Sequence, residues 1–263
     1  PITWAQLKKY PMLVVTHFAT VHGHKRLYDD EALAELLDRY LREGGSVLYL
    51  GVEHMSHWRQ HDEVNRWLKR YDLQIQWATV DDEKHAYTNP PDLPYQTDSL
   101  IWTTNIADHP ATGGAETLFM RNRIFYAPFL RPLEPGEDWT VLLRSMPTAT
   151  TTQLQKREGG SIVAKPVEGS TSKPHAVPLM AVRQVGKGRL AVFAHNPGPF
   201  WYDLGKPAIG AVCQGKGDGE RRSDWYPFLR SLTEWMTEPA RQKGFPGGAT
   251  GTQEFHIKPD WGT

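Results

Sequence analysis

Gly44-Gly45-Ser46-Val47-Leu48-Tyr49-Leu50-Gly51-Val52-Glu53-His54-Met55 decides how this chain is read. Two glycines stop whatever precedes them, since glycine is the residue that ends helices most easily. Ser46 to Leu50 then form a short apolar run of the kind that makes a buried strand. Gly51-Val52-Glu53-His54 follows as a sharp turn, with Glu53 at its tip. A strand that runs into a tight turn with a polar residue at its crown is a place where α/β proteins present chemistry.

Working outward, the residues before the glycines read as an amphipathic helix. Asp29, Asp30 and Glu31 sit in its first turn, where the helix dipole favours acids. Leu33, Leu36, Leu37, Tyr40 and Leu41 follow at i, i+3, i+4, i+7 and i+8, one apolar stripe. Further upstream, Met12-Leu13-Val14-Val15-Thr16 reads as a buried strand after a short amphipathic turn carrying Trp4 and Leu7. Downstream, Val64, Trp67, Leu68 and Tyr71 mark a second helix, and Gln74 to Val80 a third strand. This β-α-β-α-β order predicts a parallel sheet with right-handed crossovers.

The middle is less regular. Pro90-Pro91-Asp92-Leu93-Pro94 is a loop, and Thr117 to Pro128 and Trp139 to Ser145 read as strands. Residues 148–178 are rich in Thr, Ser, Gly, Lys and Pro, a composition that predicts a mobile arm, a hairpin or a lid. Leu179 to Gln184 and Arg189 to Ala194, joined by Val185-Gly186-Lys187-Gly188, read as a β-hairpin. A Gly-rich loop spans Gly205 to Glu220. A last helix runs from about Ser223 to Glu238, with Trp225, Phe228, Leu229, Leu232, Trp235 and Met236 inward. The expected division is one α/β domain over 1–243 and an extended Gly/Pro-rich tail over 244–263.

Bulk properties exclude several classes. Thirty basic and thirty acidic residues balance, so no basic field holds nucleic acid or an anionic membrane. No apolar run is long enough to span a bilayer, and no signal peptide is visible. The chain opens at Pro1 without Met, which suggests that an upstream segment is missing or removed. A lone cysteine, Cys213, rules out an intramolecular disulfide framework and a thiolate zinc cluster. A soluble chain is expected, with its compartment, export included, left open. Ten Trp and ten Tyr suit flat ligands such as sugars, or a ring-rich core.

Four segments together resemble the class I glutamine amidotransferase-like superfamily. They are Thr3-Trp4-Ala5-Gln6-Leu7-Lys8-Lys9-Tyr10 followed by Val14-Val15; Tyr40-Leu41-Arg42-Glu43-Gly44-Gly45-Ser46-Val47-Leu48; Asp108-His109-Pro110-Ala111-Thr112; and Gly186-Lys187-Gly188-Arg189-Leu190-Ala191-Val192-Phe193-Ala194-His195. The third is similar to the "HPIT" turn of the trehalose-utilisation-like members. The whole is similar to the non-catalytic, intraflagellar-transport-type members and to domains fused to bacterial glycoside-processing proteins. The resemblance implies a flavodoxin-like three-layer α/β sandwich with a mostly parallel sheet, plus a C-terminal β-hairpin and helix. It places Glu53 where catalytic members carry the nucleophilic Cys, His195 at the His position and Pro197 where a Glu belongs. A carboxylate is a poor nucleophile toward amides, so glutaminase activity is not implied. The family also begins with a central strand before the segment that opens here at Thr3. That strand is expected from an upstream piece, another chain or a rearranged segment.

Candidate site residues gather around the turn and the last hairpin. Glu53 and His195 are the candidate acid–base pair. His54, His57, His61 and Asp62 fall at i, i+3, i+7 and i+8, one helical face that forms a polar pocket wall, a metal site or a solvated surface. Trp58 adjoins them. His17, His22 and His24 follow the first strand and reach the same edge or a solvated loop. His195-Asn196-Pro197-Gly198-Pro199-Phe200-Trp201-Tyr202-Asp203 sets polar groups beside rings, a sugar-like pattern in which Asn196, Trp201, Tyr202 and Asp203 bind ligand. The alternative is that these rings pack the loop onto the core.

The functional expectation is a non-catalytic amidotransferase-like domain or subunit of a larger bacterial protein, needing no cofactor. It binds a carbohydrate or a partner chain at the carboxyl edge of the sheet. The second reading is a hydrolase of a glycan or small amide using Glu53 and His195, with a metal held by His54, His57 and His61. The third is a structural interaction domain that oligomerises through the 148–178 arm.

Overall fold

The computed structural model describes residues 3–15, 30–51, 58–88, 99–124, 127–128, 130–155, 165–195, 215 and 217–242. The opening follows the periodicities. Helix α1 (Trp4–Leu7) leads into strand β1 (Met12–Val15), then helix α2 (Asp30–Glu43), strand β2 (Ser46–Leu50) and helix α3 (Trp58–Leu68). All five residues of β2 are buried. A single 3₁₀ turn, Lys69–Tyr71, closes α3, and Asp72 reverses the chain in a left-handed conformation (φ 56°).

The remaining strands are short: β3 (Leu73–Ile75), β4 (Ala78–Asp81), β5 (Ala86–Thr88), β6 (Ser99–Thr103), β7 (Leu118–Ile124), β8 (Ala127–Pro128), β9 (Leu133–Pro135), β10 (Thr140–Arg144) and β11 (Thr150–Gln153). Two longer strands, β12 (Pro178–Val185) and β13 (Gly188–Phe193), form the expected hairpin, and helix α4 (Trp225–Gln242) follows. Among the described residues no strand precedes β1.

The central sheet has the order β1-β2-β13-β12-β10. Strand β2 lies parallel to both β1 and β13. Strands β12 and β10 run antiparallel to their neighbours. The sheet is therefore mixed, where a mostly parallel one was expected. Local geometry accounts for this. Val185 pairs with Gly188, so only Gly186 and Lys187 turn the chain. A two-residue loop can join only antiparallel strands. Gly186 holds φ 57° at the first loop position, where a type II′ turn demands glycine.

The third expected strand, Gln74 to Val80, divides in two, and neither piece enters the central sheet. Strand β3 pairs antiparallel with β9, and β4 pairs antiparallel with β11. Gln74 is exposed between buried Leu73 and Ile75, the alternation of a strand with one wet face. The inner edge of β3 is capped by a side chain: Asn65 of α3 accepts from the Ile75 amide and donates to its carbonyl, both at 2.9 Å. That amide occupies the place a neighbouring strand would take.

Side chains alternate across β2. Val47 and Tyr49 join a cluster with Leu37, Tyr40 and Leu41 of α2 and Val64, Trp67 and Leu68 of α3. Leu48 and Leu50 join a second cluster with Phe119 and Met120 of β7 and Trp225, Phe228, Leu232 and Met236 of α4. Apolar elements thus cover both faces of the sheet, which is why its central strands read as continuous apolar runs.

Within residues 148–178, β11 pairs with β4, and the chain returns along it. The Val167 amide donates to the Gln153 carbonyl and the Ser172 amide to that of Thr151, each at 2.8 Å. Residues 156–164 lie outside the described residues, as do residues 90–94, residues 205–214 and the tail from 243.

The seam between α2 and the hairpin is made by glycine. A methyl group on Gly188 would collide with the Gly45 carbonyl oxygen and lie 2.7 Å from that of Leu41. Both obstacles are backbone, which cannot rotate away. Gly188→Ala is expected to destabilise the fold by about 2 kcal/mol, a typical overpacking penalty. A shift of the urea midpoint checks this, with Gly169→Ala on an open turn as the contrast. Gly169 (φ 70°) has nothing within 4 Å, so only its backbone strain is felt there.

Candidate functional site at the carboxyl edge

The carboxyl ends of β2 and β13 meet side by side. The Gly51 amide donates to the Phe193 carbonyl at 3.0 Å, extending the ladder one residue past β2. A Cβ on Gly51 would stand 3.2 Å from the Ala194 Cα and 3.6 Å from the His195 nitrogen. The strand that leads to Glu53 and the strand that leads to His195 therefore end as neighbours. In open α/β sheets this edge, where adjacent strands continue in different directions, is the usual ligand crevice.

His195 itself is interior. It is 1% exposed, and its ring stacks on Phe193, with centroids 4.9 Å apart and planes 7° from parallel. Phe193 in turn lies 5.5 Å from the Trp225 ring. The chain crosses over the end of β13 at Leu130, which forms a β-bridge with His195, and the Arg131 amide donates to the Ala194 carbonyl at 2.9 Å. Burial pushes the His195 pKa down to about 3; a backbone hydrogen bond at Arg121 opposes the shift, and the Arg121 charge adds to it. The ring is an uncharged imidazole at neutral pH.

Two cations that sequence reading passed over lie in this neighbourhood. Arg121 of β7 and Arg131 are 7% and 4% exposed, and the Arg131 guanidinium stacks 3.8 Å from the Trp77 ring centroid. Arg121 stands inside the run Leu118-Phe119-Met120-Arg121-Asn122, whose members are all buried. A basic residue embedded in an apolar strand was the available sign, since a buried arginine is held only where its charge is satisfied.

The other candidates are not brought together by the described residues. Glu53, His54, His57, Asn196, Trp201, Tyr202, Asp203, the loop histidines His17, His22 and His24, and Cys213 lie outside them. Trp58 and His61 lie in the first turn of α3, with their side chains outside the described part. Asp62 and Glu63 follow on the helix, and among the described residues no group of three metal-ligating side chains occurs.

The turn Asp108-His109-Pro110-Ala111-Thr112 is organised from within. The His109 Nδ1 accepts the Ala111 amide at 3.0 Å, and the Thr112 hydroxyl donates to the carbonyls of Ala107 (2.9 Å) and His109 (2.7 Å). The His109 ring sets its edge on Trp235 of α4 at 5.0 Å. Burial and the charge of Arg189 lower its pKa. This histidine docks a turn onto a helix.

No family model matches the chain, and no curated protein matches it in sequence. Among solved structures the chain path is similar to the mmIFT52 N-terminal domain, with 14% identity, a TM-score of 0.49 and coverage of 89% of this chain and 80% of that one. It is also similar to a ThuA-like protein from Bacteroides uniformis, with 11% identity, a TM-score of 0.41 and coverage of 89% and 71%. A third is a cytoplasmic protein from Salmonella typhimurium LT2, with 16% identity, a TM-score of 0.38 and coverage of 92% and 75%. The α/β architecture with a mixed sheet rests on the strand order and register, and among the described residues no helix is long and apolar enough to cross a membrane.

Proposed function

We propose that this chain is a non-catalytic, amidotransferase-like α/β binding domain. Its recognition surface is the carboxyl edge where β2 and β13 end, and its ligand there is a carbohydrate or a partner chain. One observation carries the reading: the only described member of the expected acid–base pair is an interior imidazole, 1% exposed and stacked flat on Phe193, whose pKa burial pushes down to about 3. A base whose pKa lies well below neutral takes up a substrate proton poorly at neutral pH, whereas an efficient general base has a pKa near the working pH. A ring stacked flat on Phe193 serves packing instead.

Hydrolysis assays test this. The chain at neutral pH is expected to give no turnover above buffer with glutamine, simple amides or aryl glycosides, and Glu53→Gln is expected to leave that background unchanged. Turnover that Glu53→Gln removes would establish the hydrolase reading in its place. Removal of divalent ions by EDTA is expected to leave the thermal midpoint unchanged, and a drop that zinc restores would reinstate a metal at His54, His57 and His61.

A further inference from the structure

The solvent stripe of α3 faces β3 across a groove of about 440 Å³. Small-molecule sites span roughly 300–1,000 Å³. One wall comes from α3 and the turn that closes it: Asp62 and Arg66, one helical turn apart, and Lys69 of the 3₁₀ turn line it together. The opposite wall comes from strands, with Gln74 on β3, Glu134 on β9, Gln153 on β11, and Gln76 and Trp77 from the link between β3 and β4. The walls are fixed to one another. Asn65 ties α3 to both backbone groups of Ile75 at 2.9 Å, and Trp77 is held by the buried Arg131 guanidinium 3.8 Å from its centroid.

The chemistry of this lining is selective. Two carboxylates, Asp62 and Glu134, offset two cations, Arg66 and Lys69, so no net field draws an ionic ligand. The three glutamine amides each offer donors and acceptors side by side. Their natural complement is a ligand whose neighbouring groups both donate and accept, as sugar hydroxyls do. Trp77 is the one aromatic ring of the lining, and its face not covered by the Arg131 guanidinium is the surface on which the CH face of a sugar ring would stack. An apolar peptide would find one ring and little else to bury against. The geometry points to a binding site for a neutral oligosaccharide in the groove between α3 and the β3–β9 and β4–β11 ladders. Its lining includes neither Glu53 nor His195, and the proposal does not depend on the reading given above.

Calorimetric titration and saturation-transfer NMR with neutral gluco-, manno-, xylo- and galacto-oligosaccharides of four to six units test it. At least one series is expected to bind. Gln74→Ala and Gln153→Ala change exposed side chains, so their thermal midpoints should match the parent while each weakens binding about threefold or more. Trp77→Ala is expected to weaken it about tenfold or more. The proposal is overturned if no series binds at about 10 mM, or if binding survives all three substitutions. Preference for a uronic-acid oligosaccharide or a peptide overturns it too. Binding that Trp201→Ala removes and Gln74→Ala spares would move the sugar to the carboxyl edge, rejecting the groove and supporting the function proposed there.

Discussion

Trp225→Ala is expected to lower the unfolding free energy by about 4 kcal/mol, in the range for truncating a buried aromatic side chain. Trp225 is 1% exposed at the start of α4. Its indole nitrogen donates to the Phe119 carbonyl of β7 at 2.7 Å, and its ring meets Phe193 of β13 at 5.5 Å and Phe228 at 5.2 Å. One side chain thus joins the helix, the central sheet and the β5-β6-β7-β8 sheet. Around it the Asp224 carboxylate accepts the Glu116 and Thr117 amides at 2.9 and 3.0 Å, pinning the start of α4 to the start of β7. Truncation opens a cavity and leaves the Phe119 carbonyl without its indole donor. Trp225→Phe separates the two effects: it keeps most of the ring volume and removes the donor, so about 1–2 kcal/mol is expected. Equal losses for the two variants in urea unfolding would show that the cavity contributes little.

Acidification provides the second large effect. The His195 pKa is about 3 in the folded chain against an ordinary 6.5. Between these values the unfolded chain binds a proton that the folded chain does not, so stability falls as pH falls from about 6.5 toward about 3. Above pH 6.5 the contribution is fully present. The expected loss attributable to this one ring is about 2 kcal/mol by pH 5 and about 3 kcal/mol by pH 4. His195→Phe keeps a flat ring over Phe193 and cannot titrate. Its urea midpoint should fall less steeply with acid than that of the parent, by that difference. Parallel curves for the two proteins would refute the assignment, whatever their absolute stabilities. His109, lowered in the same direction, adds a dependence of the same sign that both proteins share.

Much of the architecture was legible before any coordinates. The stripe Leu33, Leu36, Leu37, Tyr40 and Leu41 became the buried side of α2, where Tyr40 and Leu41 are fully inside. Gly44-Gly45 ended that helix and β2 began at Ser46. The hairpin at Gly186-Lys187 and the inward face of α4 were equally plain, because each is set by residues within a few positions of one another. Strand partnership was not. Gln74 to Val80 was read as one strand of a parallel sheet, yet Asn65 caps its first half and β11 takes its second. Those partners lie 10 and about 70 residues away, beyond any local pattern.

The site followed the same division. The sequence put a polar turn after β2 and a histidine after β13, and the ladder through Gly51 and Phe193 makes those two ends neighbours. Whether the histidine faces water or the core could not be read from His195 itself. That depended on the crossing of Leu130 and Arg131 over the strand end and on the stack with Phe193.

By itself, then, the sequence determined the local elements, their apolar faces, the tight antiparallel turn and the absence of a charge field, because side-chain periodicity and backbone sterics act over a few residues. Only the tertiary structure decided which strands share a ladder, that the sheet is mixed, that His195 is an uncharged interior ring and that α3 faces β3 across a charge-balanced groove. These depend on contacts between residues far apart in the chain, where burial and desolvation set both pairing and protonation.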